Sequence, residues 1–392
     1  MNLLGRAKTD VFMRVLCIVY AILNHDNRVT KLCRVLSDNG YHVDVFALKG
    51  STTGGLNVHL KCSSIAKYRG ASRLYYFLSY LGFFFESSVF AVCSMLRKKY
   101  AVVHVHNMPD FLVFAGVIPR MMGARLILDV HDSTRDVFSS KFNGPVFDWL
   151  LALEEYVCYS VPHVLFTVHN VYRERLHKVT GRSPDQISAV LNLPDFSDAV
   201  TVNRAADETF LIVHHGAITH RHGTDLLVKA FNRAVSSMPN ARLSIFGSGD
   251  AARDVTAEIN QGDKECVSFP QSTFDYRDIP SMLEGAACGV VPVRPDRYVD
   301  NILPVKMLEY LSLGIPTMVT DIPSLDQGLR AYVICLDRKR ITETVAEELT
   351  RLYSDRGYYD TWKEKALAFR ETFNWETEAR KILFAYRHLL NS

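Results

Sequence analysis

The sequence predicts an α/β protein of two Rossmann-like, doubly wound parallel-sheet domains that face a cleft, and three observations carry this prediction. Short apolar runs rich in Val, Ile and Leu alternate with segments of helical spacing, the order expected of a parallel sheet wrapped in helices. The cycle lapses in a polar stretch before residue 209 and then starts again. At 392 residues the chain also exceeds the size at which a single core usually divides.

Taken in order, Met13 to Tyr20 reads as a strand, Arg28 to Asn39 as a helix closed by Gly40, and His42 to Leu48 as a second strand. The pattern recurs at Val102 to Val105 and at Arg125 to Val130, each after a helical segment. The second cycle has strands at Phe210 to His214, Ala241 to Phe246, Val267 to Phe269, Cys288 to Val293 and Thr317 to Thr320. Helices are expected at Thr224 to Ser237, Ile279 to Gly285 and Val305 to Leu313. This gives an N-terminal domain over 1–194, a connector over 195–208 and a C-terminal domain over 209–374. A final helix, 375–392, is expected to cross back to the first domain. Open parallel sheets bind ligands at the carboxyl ends of their strands, so residues that follow strands are the ones to inspect.

Bulk properties exclude several classes. A formal charge of +3 is too mild for a nucleic-acid surface. Eight cysteines without a CxxC pair fit neither a zinc site nor a disulfide framework, and point to a reducing cytoplasm. The first twelve residues lack the apolar core of a secretory signal. Leu74 to Leu96 is long and aromatic, but Glu86 in its middle would cost roughly 3 kcal/mol in lipid, which favours a buried or interfacial helix over a span.

The strongest chemical signal is Leu303-Pro304-Val305-Lys306-Met307-Leu308-Glu309-Tyr310, followed by Gly314-Ile315-Pro316. Proline at a helix start, a lysine in the first turn and a glutamate three residues on form a site for a diphosphate and a ribose. The same spacing also fits an exposed ion pair on an ordinary helix. A second signal is His214-His215-Gly216-Ala217-Ile218-Thr219-His220-Arg221-His222-Gly223, where glycines let a ligand approach and Arg221 and His222 sit at a helix's positive end. Gly247-Ser248-Gly249-Asp250-Ala251-Ala252 matches a dinucleotide fingerprint, but on the second strand of its domain, where a tight turn explains it as well. In the N-terminal half, His104-Val105-His106-Asn107 and Asp129-Val130-His131-Asp132 put polar groups directly after strands.

Pro304, Lys306, Glu309, Tyr310, Gly314 and Pro316 resemble the donor-binding signature of retaining GT-B glycosyltransferases of the family-4-like group. Asp26-Asn27-Arg28-Val29, Gly40-Tyr41-His42-Val43, His106-Asn107 and His131-Asp132 are similar to that family's acceptor domain. The resemblance implies a metal-independent transfer, without a cofactor, from a nucleoside-diphosphate sugar to a glycan or lipid-linked glycan in cell-surface polysaccharide assembly. It implies ribose binding by Glu309 and contact of His131 with the transferred sugar. Lys306 and Arg221 would assist departure of the diphosphate, and Gly216, His222, Asp300 and Asn301 would complete the donor site. Arg28, His106, Asn107 and Asp132 would lie on the acceptor side. Many members carry a second glutamate eight residues before the first; here Asn301 stands there, beside Asp300. The absence of any Asp-x-Asp agrees with a metal-independent reaction. The expected location is cytoplasmic, at the inner face of the membrane, with peripheral contact through 69–99. Two rivals predict different behaviour: an epimerase would act without an acceptor, and a non-catalytic partner subunit would bind donor without turnover.

Overall fold

The structure, a computed structural model, describes residues 13–68, 70, 72–139, 144–196 and 209–391. The expected connector at 195–208 lies outside the described residues from 197 onward. The chain forms two compact units. One comprises Met1–Val168, Tyr172–Val190 and Ala379–Ser392; the other comprises His169–Val171 and Leu191–Glu378.

The first unit is a seven-stranded sheet made of β1 (Arg14–Val19), β2 (His42–Ala47), β3 (His59–Cys62), β4 (Val102–His106), β5 (Arg125–Val130), β6 (Val164–Thr167) and β7 (Ile187–Ala189). Its order is β3-β2-β1-β4-β5-β6-β7, and every pairing is parallel. The chain first winds outward from β1 through β2 to β3 and then returns to place β4 on the other side of β1. The carboxyl ends of β1 and β4 therefore form a switch point, where a crevice opens between diverging loops. Asp26 caps the helix Asn27–Asp38 by accepting from the Val29 amide, and Val29, Leu32 and Leu36 bury its apolar stripe.

The second unit is a six-stranded sheet of β8 (Phe210–His215), β9 (Ala241–Phe246), β10 (Val267–Ser268), β11 (Ala286–Val291), β12 (Thr317–Thr320) and β13 (Ile334–Leu336). Its order, β10-β9-β8-β11-β12-β13, is again wholly parallel, with the switch point between β8 and β11. The α/β fold of two doubly wound sheets is therefore the one the sequence predicts. Four strands of three or four residues, β3, β6, β7 and β13, are absent from the sequence prediction; β3 alternates exposed and half-buried positions without a fully apolar face.

Gly289 in β11 shows how tightly the second unit is packed. A Cβ there would lie 2.4 Å from the Tyr310 ring, which is fully buried on the helix Val305–Ser312. Gly289→Ala is expected to destabilise this unit by about 1–3 kcal/mol through overpacking. A drop in its urea midpoint checks this; an unchanged midpoint would mean that Tyr310 moves without cost.

Candidate active site

In the second unit the candidate residues gather at the switch point. β8 ends at His215 and the chain turns through Gly216, a short turn His220–His222 and Gly223 into the helix Thr224–Ala234. Gly216 has φ +107°, and a Cβ on it would lie 2.5 Å from Cε of Lys306. The bare backbone thus lets the lysine lie across the loop. Gly247 and Gly249, the pair that matched a dinucleotide fingerprint, have another role. Their Cβ atoms would meet the carbonyls of Gly216 and Ile218 at 1.9 and 2.2 Å, and the Gly216 and Ile218 amides donate to Phe246 and Ser248. These glycines let the loop after β9 pack against the loop after β8.

Lys306 stands in the first turn of the helix Val305–Ser312 with Nζ 3.4 Å from Nε2 of His214. Burial pushes its pKa down to about 8, against the pull of Glu309. His214 donates from Nδ1 to the Val290 carbonyl at 2.8 Å, so Nε2 is an acceptor, facing Thr224 Oγ1 and the ammonium. Burial and then Lys306 hold its pKa well below the usual range and keep the ring neutral.

Glu309 is buried, with Oε2 2.8 Å from Nε2 of His215. The Tyr310 hydroxyl lies 3.0 Å from Nδ1 of His215 and accepts from the His215 amide at 3.1 Å. One assignment satisfies all three contacts. The Tyr310 hydroxyl donates to Nδ1, and Nε2–H donates to Glu309, which fixes the tautomer and aims the carboxylate.

The other predicted donor residues are placed less simply. Arg221 donates from Nε to Asp296 at 2.8 Å, and its guanidinium lies over the Tyr298 ring. His222 donates from Nδ1 to the Ala217 carbonyl, and burial, with Lys306 nearby, lowers its pKa to about 4. It is therefore a neutral donor or acceptor rather than a cation. Asp300 turns to Arg338 at 3.0 Å, and the Asn301 side chain donates to the Arg297 carbonyl within its own turn. Lys306, Gly216, His222 and Glu309 come together; Asp300 is directed away. A pair missed in the sequence, Arg294 and Asp225, locks the loop in place. Arg294 grips Asp225 through both nitrogens at 2.8 and 2.5 Å, and its amide donates to the Arg221 carbonyl.

In the first unit the focus is Asp129, one residue before the end of β5, to which the sequence motifs assign no role of its own. Arg28 donates to both of its oxygens at 2.9 and 2.8 Å and to the Val190 carbonyl at 2.7 Å. Burial alone would raise the Asp129 pKa; Arg28, His131 and His106 outweigh it and hold the carboxyl well below the usual carboxylate range. Asp129 Oδ2 lies 3.2 Å from Nε2 of His131 and 3.3 Å from Nδ1 of His106. His106 is wholly buried and its pKa is lowered by that burial, whereas His131 is partly exposed. Asn107 is a clamp: its amide group donates to Asp110 and to the Asp132 carbonyl, and its carbonyl accepts from the His131 amide at 2.7 Å. Arg28 and Asn107, expected on the acceptor side, thus hold His131 in place. His104, His106 and Asp129 lie close enough to resemble a metal cluster, but the guanidinium already covers both carboxylate oxygens, and His104 Nδ1 meets the Tyr386 hydroxyl at 2.7 Å.

Comparison with known proteins matches both halves of the chain. Residues 26–196 match the family described as Glycosyltransferase Family 4, and residues 209–355 match Glycosyl transferases group 1. The chitobiosyldiphosphodolichol beta-mannosyltransferase of Candida glabrata is 20% identical, over 94% of this chain and 90% of its own. Among solved structures, sucrose-phosphate synthase from Thermosynechococcus elongatus superposes with a TM-score of 0.75 at 15% identity, covering 97% of this chain and 99% of that one. A glycosyltransferase from Rickettsia africae gives 0.69 at 12% identity, covering 97% and 99%. These structures show the shared fold. With the two families together spanning both units, the chain belongs to the GT-B glycosyltransferases of the family-4-like group.

Proposed function

We propose that this glycosyltransferase moves a sugar from a nucleoside-diphosphate donor to a lipid-linked glycan at the cytoplasmic face of a membrane, in cell-surface polysaccharide assembly, without a metal ion. The observation that carries the donor half is the convergence of Lys306, the Gly216 loop and Glu309 at one helix start. A helix N-terminus and an ammonium suit a diphosphate, and Glu309, held through Oε2 by His215, keeps Oε1 for a ribose hydroxyl. Preorganised charge of this kind stabilises a departing diphosphate without a metal ion. The lipid-linked acceptor is supported by the beta-mannosyltransferase relative, whose name specifies a dolichol-bound glycan. Peripheral contact through 69–99 accords with such an acceptor; Arg69 within that span lies outside the described residues. Epimerase and non-catalytic readings lose ground to the match with transferase families over both units.

Retention of configuration follows from the family resemblance. A second reading, inversion, is favoured by the Arg28–Asp129–His131 chain. An ionised, buried carboxylate oriented on Nε2 leaves Nδ1 to take the proton of an attacking hydroxyl, as an inverting displacement requires. The beta linkage in the relative's name points the same way when the donor is alpha-linked.

Three outcomes are expected. In a thermal-shift panel of UDP-, GDP-, ADP- and TDP-sugars, at least one should stabilise the protein. Glu309→Ala should weaken that binding by about 1.5–3 kcal/mol, the value of a hydrogen bond to a charged group. A ligand that stabilises both proteins equally removes Glu309 from the site. Because the Lys306 pKa is lowered to about 8, a diphosphate selects the protonated form. Affinity should fall as pH rises through 8, by up to about tenfold per unit, with proton uptake on binding. Calorimetry in buffers of different ionisation enthalpy measures this, and Lys306→Met should flatten the dependence. Finally, NMR of the product from an alpha-linked donor reports its anomeric configuration. Inversion should be accompanied by a loss of roughly 10²–10⁴ in kcat for His131→Gln; an alpha product excludes the inverting reading.

A further inference from the structure

The helix Pro145–Ser160 sets Cys158 and Tyr159 in the core but turns most of its apolar side chains outward. Its outward stripe is Val146, Trp149, Leu150, Leu153, Tyr156 and Val157, every one exposed, with Val146 at 71% and Trp149 at 61%. Its acids face inward or are paired: Asp148 with Arg135, Glu155 with Arg175, and Glu154 beside Asp110, where burial raises its pKa to about 8. A helix of a water-bathed domain has the opposite pattern.

The neighbouring helix Arg73–Lys98 shares the feature. Phe83, Ala91 and Met95 anchor one face in the sheet's core, Tyr80 is buried beside Tyr20, and Leu74 to Leu78, Phe85 and Val89 are exposed. Only 28% of its apolar window is buried. Its central acid, Glu86, accepts from the Ser64 amide at 2.9 Å and from the Ser63 and Ser64 hydroxyls. Since the core holds one face along most of its length, this helix lies against the unit and does not cross a bilayer alone. Both helices pack on the segment Asp110–Gly116, and their crossovers run to the same face of the sheet. Ile118 and Met121, on the short helix that follows this segment and packs on Arg73–Lys98, are exposed as well, and so are Arg97, Lys99 and Arg120 at the ends of these elements.

We infer that this face of the first unit docks on an anionic lipid surface, with the stripe of Pro145–Ser160 and the first turns of Arg73–Lys98 lying in the headgroup boundary. The occupant follows from chemistry. Exposed apolar area on this scale marks an interface, Trp and Tyr suit the boundary between headgroups and acyl chains, and exposed Arg97, Lys99 and Arg120 suit anionic headgroups. The inference deepens the lipid-linked acceptor reading and rests on it for the choice of lipid.

Trp149 supplies the direct readout, because the only other tryptophans, Trp362 and Trp375, can be replaced by Phe in the full chain. Adding phosphatidylcholine vesicles containing phosphatidylglycerol should blue-shift Trp149 emission, shield it from an aqueous quencher and carry the protein into the pellet. Pure phosphatidylcholine should do so more weakly. Leu150→Glu/Leu153→Glu should reduce vesicle partitioning by at least about tenfold with melting unchanged, since both positions are exposed. Emission that ignores both vesicle types would overturn the inference. So would sedimentation showing a dimer that the same two substitutions dissociate, because a second copy would then cover the face. Nucleotide-sugar binding is measured without vesicles, so loss of either result leaves the other readable.

Discussion

Lys306 lying across the bare backbone of Gly216 is the constraint on which the candidate donor site depends. A buried ammonium is costly unless its neighbours are arranged for it. Here they are a neutral His214 with its lone pair turned toward the ammonium, a glycine that leaves the space, and a second glycine loop that braces the first. Burial still pushes the Lys306 pKa down to about 8, against the pull of Glu309. A group of that kind gains most when a diphosphate arrives.

The first unit solves a similar problem with the sign reversed. Asp129 is a buried anion, and Arg28 from the helix after β1 neutralises it through both nitrogens. The pair joins elements 101 residues apart across the switch point and leaves the carboxylate free to orient His131. Asn107 fixes the backbone at the same place. In both units a histidine is held by a buried carboxylate, His215 by Glu309 and His131 by Asp129, so each imidazole has a defined orientation.

The fold and the helix-start motif were legible in the sequence because both are local: strand periodicity, and a Pro, a Lys and a Glu within six residues. Partners distant in sequence were not. Nothing near Glu309 indicates His215, 94 residues away, and nothing near Asp300 indicates Arg338. Arg221 read as a free phosphate ligand because its partner Asp296 comes 75 residues later. Asp129 did leave a signal, a charged residue inside the apolar run Leu126–Val130, but the His131-Asp132 pair beside it matched the family motif. The apolar run 74–96 was visible as a helix, and 145–160 is at least as apolar, with 11 of 16 residues hydrophobic, but which of its side chains face outward only packing reveals.

The most direct test of the lysine and glycine arrangement is Gly216→Ala. Its Cβ would displace the flexible end of Lys306 and not a wall of the core, so the cost falls on the ligand site, with about 1–3 kcal/mol of backbone strain for a non-glycine residue held at φ +107°. Titration calorimetry with UDP, GDP, ADP and TDP should find a nucleotide that binds the wild type and binds Gly216→Ala at least about tenfold more weakly, a difference of about 1.4 kcal/mol, while the variant stays folded. Equal affinity for the folded variant, or no nucleotide bound by the wild type, would contradict the account.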